Sequence, residues 1–271
     1  MKKKPIKSKL LNPSIVIGND LARELQAMIT AMHKDTRREI IKLFSDGSLS
    51  GFAQDGGNIA SQARILMNRL MDKWNDRFEN WARDRTGTFI RKVNRNAEQT
   101  MKSSLKEWSQ NITLKFDASD ERIMTVLKAS TQQAAQLITA MPAKYLDQVQ
   151  GDVMRSITTG NGLKDLVPQL TKLYNSNYKH AKLVALDQTR KAYTAVQVAN
   201  MQRLGMKKFE WIHSGGGQHP RKQHEDWDGQ IFDIDKPPVD KTFGPVMPGD
   251  AINCRCKMRL ILDFGVGENA A

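Results

Sequence analysis

The sequence predicts an α+β protein: a long helical N-terminal region followed by a small mixed domain in which helices pack on a short β-sheet. Two observations carry this. From Asn19 to Leu204 apolar residues recur mostly at three- and four-residue steps, and beyond Gly205 prolines, glycines and short alternating runs replace that periodicity. A chain of 271 residues holds one large domain or two modest ones. The expected partition is a basic arm over 1–18, a helical region over 19–155, a mixed domain over 156–264 and a tail over 265–271.

Composition narrows the function classes. A formal net charge of +13 and a pI near 9.7 favour an acidic partner such as nucleic acid, although charge bears on association rather than fold. No window approaches the roughly 18 consecutive apolar residues of a membrane span, and the N-terminal lysines precede only a broken apolar run, so a soluble, unprocessed protein is expected. Two cysteines are too few for a disulfide framework, which fits a reducing compartment.

The arm carries Lys2, Lys3, Lys4, Lys7 and Lys9, read as a solvated tail or a phosphate or protein contact. A first amphipathic helix follows a capping Asn or Asp at 19–20 and carries Leu21, Leu25, Met28, Ile29, Met32, Ile40, Ile41 and Phe44 mostly at three- and four-residue steps. The Gly- and Ser-rich stretch 45–58 breaks it; without a Lys-Ser/Thr ending this is a hinge rather than a phosphate loop. A second helix carries Ile59 to Trp81 on one stripe, and after Gly87 the stripe resumes from Phe89 to Trp108. Around that glycine Arg83, Arg85, Arg91, Lys92 and Arg95 form either a solvated face or a surface for DNA backbone or an acidic protein. A helix capped within Asp117–Asp120 runs to Pro142, another from Pro142 to Ile157, and "TTGNG" punctuates the chain at 158–162. A short helix over 163–173 and an alanine-rich one from Tyr178 end at Gly205.

The C-terminal segment carries the chemistry-bearing residues. In "INCRCKMRLIL" Ile252, Cys254, Cys256, Met258 and Leu260 alternate with Asn253, Arg255, Lys257 and Arg259, the pattern of a half-buried strand. Its apolar side takes both thiols, and its basic side is free for phosphate or carboxylate. Side chains at i and i+2 of a strand stand roughly 6.5–7 Å apart, too far for a disulfide, whose Cβ atoms lie about 3.8 Å apart. A Cys-Cys-His-His set of Cys254, Cys256, His219 and His224 would satisfy zinc, but Cys-x-Cys is not the usual structural-zinc spacing, so no metal and no cofactor is expected. Upstream, a strand ends at Trp211 and Ile212, a helical turn places Arg221 and His224 on one face, and Gly229 turns the chain into "QIFDI". His224 with Asp226 and Asp228 admits a metal-assisted nuclease or hydrolase, against a purely loop-locking role.

Taken in order, Trp211, Arg221, His224, Gly229, Pro248-Gly249 and Asn253-Cys254-Arg255-Cys256 resemble the C-terminal domain of the Mu-F-like minor head proteins of tailed bacteriophages, the head-morphogenesis family, over roughly residues 155–262. One departure is Arg190, where many members carry an acidic residue after the Thr. The resemblance implies a non-enzymatic virion component present in few copies, at the portal vertex or in the head interior and in the host cytoplasm during assembly. It implies portal protein, packaged double-stranded DNA and a capsid or scaffolding protein as partners, and a role in head assembly, DNA packaging or DNA delivery. Some relatives append toxin domains; with the motif ending close to Ala271, none is expected here. Trp211, Arg221, His224 and Asn253 are then expected to lock the loops of the domain together.

Overall fold

The computed structural model describes residues 6–45, 56–106, 117, 119–216 and 220–262. Lys2, Lys3, Lys4, His219 and the Trp108 end of the second stripe lie outside them. The chain is α+β: four long helices, α1 (Ile15–Ser45), α2 (Gly56–Leu105), α3 (Glu121–Thr159) and α4 (Leu163–Arg203), lead into a small antiparallel sheet region. It divides into two compact units, one of residues 19–88 and 131–185, the other of residues 1–18, 89–130 and 186–271.

The described residues of the first unit are helical apart from the turn at 160–162. Leu25, Ile29, Met32, Ile40, Met67, Leu70, Trp74, Phe78, Ile138, Tyr145 and Val149 are essentially excluded from solvent, as the three- and four-residue spacing predicts. Two of the polar side chains inside it find partners across the helices. His33 Nδ1 lies 2.8 Å from the Tyr145 hydroxyl, and its ring stacks on Tyr174 at 4.6 Å. Asp35 accepts from Lys73 Nζ at 2.7 Å and from Trp74 Nε1 at 2.9 Å.

Helix ends follow local chemistry where a cap is present. Asp120 Oδ1 accepts the backbone N–H groups of Arg122 and Ile123 and starts α3. Gly205, at φ 71°, ends α4 with the Met206 N–H returning to Met201 O at 2.9 Å. Several expected breaks are absent. The first helix begins at Ile15, ahead of Asn19, with the Ser14 N–H held by Asn96 Oδ1 at 2.8 Å. Helix α2 runs through Gly87, because Ala82, Phe89 and Ile90 stay buried in register across it, and one helical glycine costs only about 1 kcal/mol. Pro142 lies inside α3 rather than at its end, flanked by the buried Met141, Tyr145 and Leu146. The short helix over 163–173 and the alanine-rich one are a single helix, α4, carried past Leu173 by the Asn177 side chain, which donates to Leu173 O at 2.9 Å.

The second unit holds the sheet, in the order β1 (Ile6–Lys7), β6 (Lys257–Leu262), β2 (Lys208–Ile212) and β3 (Ile231–Asp233), all antiparallel. Trp211 sits opposite Met258 and Phe209 opposite Leu260, so the alternation of both strands buries one set of side chains. A separate two-stranded hairpin joins β4 (Val239–Asp240) to β5 (Gly244–Pro245). The basic arm is not free at its described end: Ile6 and Lys7 pair with Leu262 and Ile261, and Ser8 exchanges hydrogen bonds with Leu260.

The alternating reading of 252–256 needs correction. Strand β6 begins only at Lys257. Ahead of it Asn253 adopts φ 57° and the Cys254 N–H donates to Ala251 O at 2.9 Å, a turn that leaves Ile252 51% exposed while Cys254 and Cys256 are buried. The alternation is real in β6 and coincidental in the turn. A left-handed residue there is tolerated because Asn carries a short polar side chain.

Candidate functional site

The motif residues converge in the sheet-bearing unit. Strand β2 places Trp211, fully buried, beneath helix α5 (Lys222–Asp226), which carries His224 at 2% exposure. The two rings meet edge to face at 5.0 Å, and Trp227 stacks on His224 at 5.1 Å. The imidazole is thus fixed on two sides by indoles, and its two nitrogens point to different partners.

Nε2 lies 3.1 Å from Asp240 Oδ2. The other oxygen, Oδ1, accepts the backbone N–H groups of Thr242 at 2.7 Å and Phe243 at 3.0 Å. Burial pushes the Asp240 pKa up, but these donors and His224 outweigh it and hold the carboxyl below its ordinary value. An ionised Asp240 accepts only, so Nε2 directs its proton to that carboxylate. The other nitrogen, Nδ1, faces both sulfurs, 3.5 Å from Cys254 Sγ and 3.7 Å from Cys256 Sγ. The three ligand atoms lie within 4.8 Å of one another, and all three residues are buried.

The two thiols differ in character. Cys254 is pushed well down, first by the hydrogen bond from Cys256 and, against its burial, by His224 and the backbone N–H groups of Cys256 and Gly249. Cys256 is pushed up, first because it shares its proton with Cys254 and then by burial; Trp211 and the Ser214 backbone pull the other way. The Trp211 Nε1 proton is buried without a hydrogen-bond partner among the described residues. Both cysteines are free thiols.

Around this centre the other motif residues hold loops. Arg221 donates from Nη2 to Ile252 O at 2.9 Å and lays its guanidinium 5.1 Å from the Phe243 ring centroid. Asp187, on α4, accepts the Asn253 N–H at 2.7 Å and pairs with Lys191 at 3.1 Å. Thr194, also on α4, donates to Pro248 O at 2.7 Å. Gly249 has φ 91°, and a Cβ there would stand 3.1 Å from Thr194 Oγ1. Gly229, at φ 74°, donates to Trp211 O at 2.8 Å and starts the turn into β3. A cavity of 710 Å³ opens over the cluster, lined by His213, Arg221, His224, Asn253, both cysteines and Arg255 among others. A smaller one of 330 Å³ lies on the other side of Cys256, beside Arg190, Thr194 and Gly249.

The carboxylates that the hydrolase alternative required are elsewhere. Asp226 and Asp228 are exposed, and Asp228 Oδ1 accepts the His213 N–H at 2.7 Å. The acid that meets His224 is Asp240, which lies 16 residues downstream and was not singled out in the sequence; nor was Asp187. The "DKTFG" stretch, an Asp followed by donors two and three residues on, was the available signal for Asp240. Among the basic residues, Lys7 and Arg259 both pair with Glu210, at 2.6 and 3.5 Å. Arg85 lies 4.0 Å from Glu24, and Arg83 donates to Asn80. Lys92, Arg95 and Arg255 are exposed, Lys257 is half-buried, and none of these four is ion-paired among the described residues. Arg91 and Lys9 are exposed and each has an interaction partner. No helix of the described residues is long and apolar enough to cross a membrane.

Comparison with known proteins bears on the same segment. Residues 147–259 match the family model described as phage Mu protein F like protein. An uncharacterized protein of Haemophilus influenzae is 26% identical over 272 residues, covering 94% of this chain and 59% of the relative, so the chain spans about three fifths of that protein's length. No solved structure matches.

Proposed function

We propose that this chain, a Mu-F-like phage head protein by its residues 147–259, is a minor capsid component that sits at the portal vertex or in the head interior and takes part in head assembly, DNA packaging or DNA delivery. The carrying observation is that the matched span contains the whole locked centre, from Asp187 through Trp211, His224 and Asp240 to Cys256. Its motif residues hold loops to one another and to α4, the work of a scaffold that presents a surface. Portal protein is the expected protein partner, with a capsid or scaffolding protein as a second.

Packaged DNA is the second class of partner. A dense phosphate polymer is bound through Lys and Arg contacts that release counterions whatever the base sequence. The net charge of +13 and the exposed Lys92, Arg95 and Arg255 suit that mode. Mass analysis of purified virions, with co-purification of tagged chain and portal protein from cells assembling heads, tests the proposal. Low-copy chain in virions and portal in the eluate are expected; virions that lack it, or heads that assemble, fill and deliver their DNA normally without it, would overturn the assignment.

A further inference from the structure

We propose that Cys254 Sγ, Cys256 Sγ and His224 Nδ1 form a binding site for a soft divalent metal ion of the zinc class, with the fourth coordination position facing the 710 Å³ cavity. A Cys-x-Cys pair on one face of a strand would hold its sulfurs apart. The Asn253 turn removes these residues from the strand, and both sulfurs then face a single nitrogen.

Four observations carry the inference. Zinc at about 2.3 Å from sulfur and about 2.0–2.1 Å from nitrogen, in tetrahedral geometry, sets each S···N edge at about 3.5 Å. The two edges here are 3.5 and 3.7 Å. Second, one imidazole nitrogen faces two sulfurs at hydrogen-bond distance, more than a single N–H or lone pair can serve; a cation between the three atoms uses all of them at once. Third, Asp240 holds the far side of the ring through Nε2, the carboxylate–histidine pairing that orients metal-bound imidazoles. Finally, the buried Trp211 N–H, on the residue that flanks His224 edge to face, has no hydrogen-bond partner among the described residues. A metal-bound thiolate would supply the acceptor.

The chemistry balances without any redox step. Whatever protons the two sulfurs carry pass to solvent as their lone pairs bind the ion, and the two thiolate charges offset the two positive charges of the ion. Sulfur and imidazole ligands select zinc-like ions over magnesium or calcium, which take oxygen. Such an ion would tie the turn before β6 to α5 and, through Asp240, to the β4–β5 hairpin.

Metal content of the full chain, purified without chelator, is measured first, followed by cobalt(II) titration of the chelator-stripped protein. About one equivalent of zinc is expected, together with near-ultraviolet thiolate-to-cobalt charge transfer and the strong visible bands of a four-coordinate ion. Cys254→Ser with Cys256→Ser should abolish the charge transfer. Asp240→Asn should keep the bands and weaken affinity about 10- to 100-fold, and His33→Gln, in the other unit, should change nothing. A wild-type protein that is folded by circular dichroism and leaves cobalt with the spectrum of the aqueous ion overturns the proposal. That arm needs no variant, so a variant that fails to fold leaves the proposal exposed to it. None of these readouts depends on the virion assignment.

Discussion

Replacing Asp35 by Ala removes a carboxylate that the helical unit holds almost out of solvent, and the size of the loss can be worked from its partners. Asp35 accepts from the buried Trp74 Nε1 at 2.9 Å, from Lys73 Nζ at 2.7 Å and from Arg38 Nη2 at 2.6 Å. The indole N–H would be left unpaired in the interior, which costs about 1–3 kcal/mol. Lys73 is 39% exposed and Arg38 69%, so water recovers most of their loss, and each ion pair contributes only about 0.2–1 kcal/mol. The sum is about 1.5–5 kcal/mol for Asp35→Ala and less for Asp35→Asn, whose amide oxygen can still accept from Trp74. Burial pushes the Asp35 pKa up, but Lys73, Trp74 and Arg38 outweigh it, so its folded value lies below the ordinary 3.8. A depressed acid contributes stability that is fully present above the unfolded pKa and is lost as pH falls through the folded one. The gap between wild type and Asp35→Asn should therefore stand at pH 7 and close in strong acid. Hydrogen exchange at the α1 amides around Asp35, with urea unfolding as a second probe, measures both effects. An Asp35→Ala protein within about 0.5 kcal/mol of wild type at pH 7 would show that the Trp74 donor finds another acceptor and that the accounting is wrong.

The remaining predictions concern the sheet-bearing unit and its charge. Asn253→Gly should leave stability unchanged within about 0.5 kcal/mol, whereas Asn253→Val, β-branched at φ 57°, should cost about 1–2 kcal/mol in urea unfolding. Thr194→Val removes the donor to the Pro248 carbonyl and should cost about 1–3 kcal/mol by the same assay, with the Gly249 and Asp250 amides exchanging faster. If Lys92 and Arg95 touch phosphate, Lys92→Gln with Arg95→Gln should flatten the slope of log affinity against log salt by about 1.8 on any duplex; an unchanged slope places the DNA contact elsewhere.

The helical half was legible in the sequence because burial there repeats. Leu25, Ile29, Met32 and the Met67–Phe78 stripe each occupy predicted inward positions, and Asp120 and Gly205 cap where their side chain and φ allow. The misplaced breaks share one cause. Gly87 and Pro142 are helix breakers by propensity, but the buried residues on either side of each keep the helical register, and packing outweighs a local cost of about 1–3 kcal/mol. Only contacts distant in sequence decide that contest, and no local window contains them.

At the motif the sequence supplied identities without directions. Strict alternation over 252–260 implies that every second side chain faces the core, and for Met258 and Leu260 it does. The strand itself stops at Lys257, and the inference fails at the exposed Ile252, because a single left-handed residue, Asn253, breaks the period, and its N–H is held by the Asp187 carboxylate on a helix far back in the chain. The same turn changes what the thiols are. In a strand they would be small hydrophobes beside isoleucine and methionine; in the turn both sulfurs lie within 3.7 Å of one imidazole nitrogen. Asp240 completes the change from a hairpin whose sequence shows only prolines, a glycine and an Asp ahead of a Thr. Buried polar side chains from α4, α5, the β4–β5 hairpin and the turn before β6 thus satisfy one another or leave an unfilled demand, and the demand at Nδ1, at the two sulfurs and at the Trp211 N–H falls at one point.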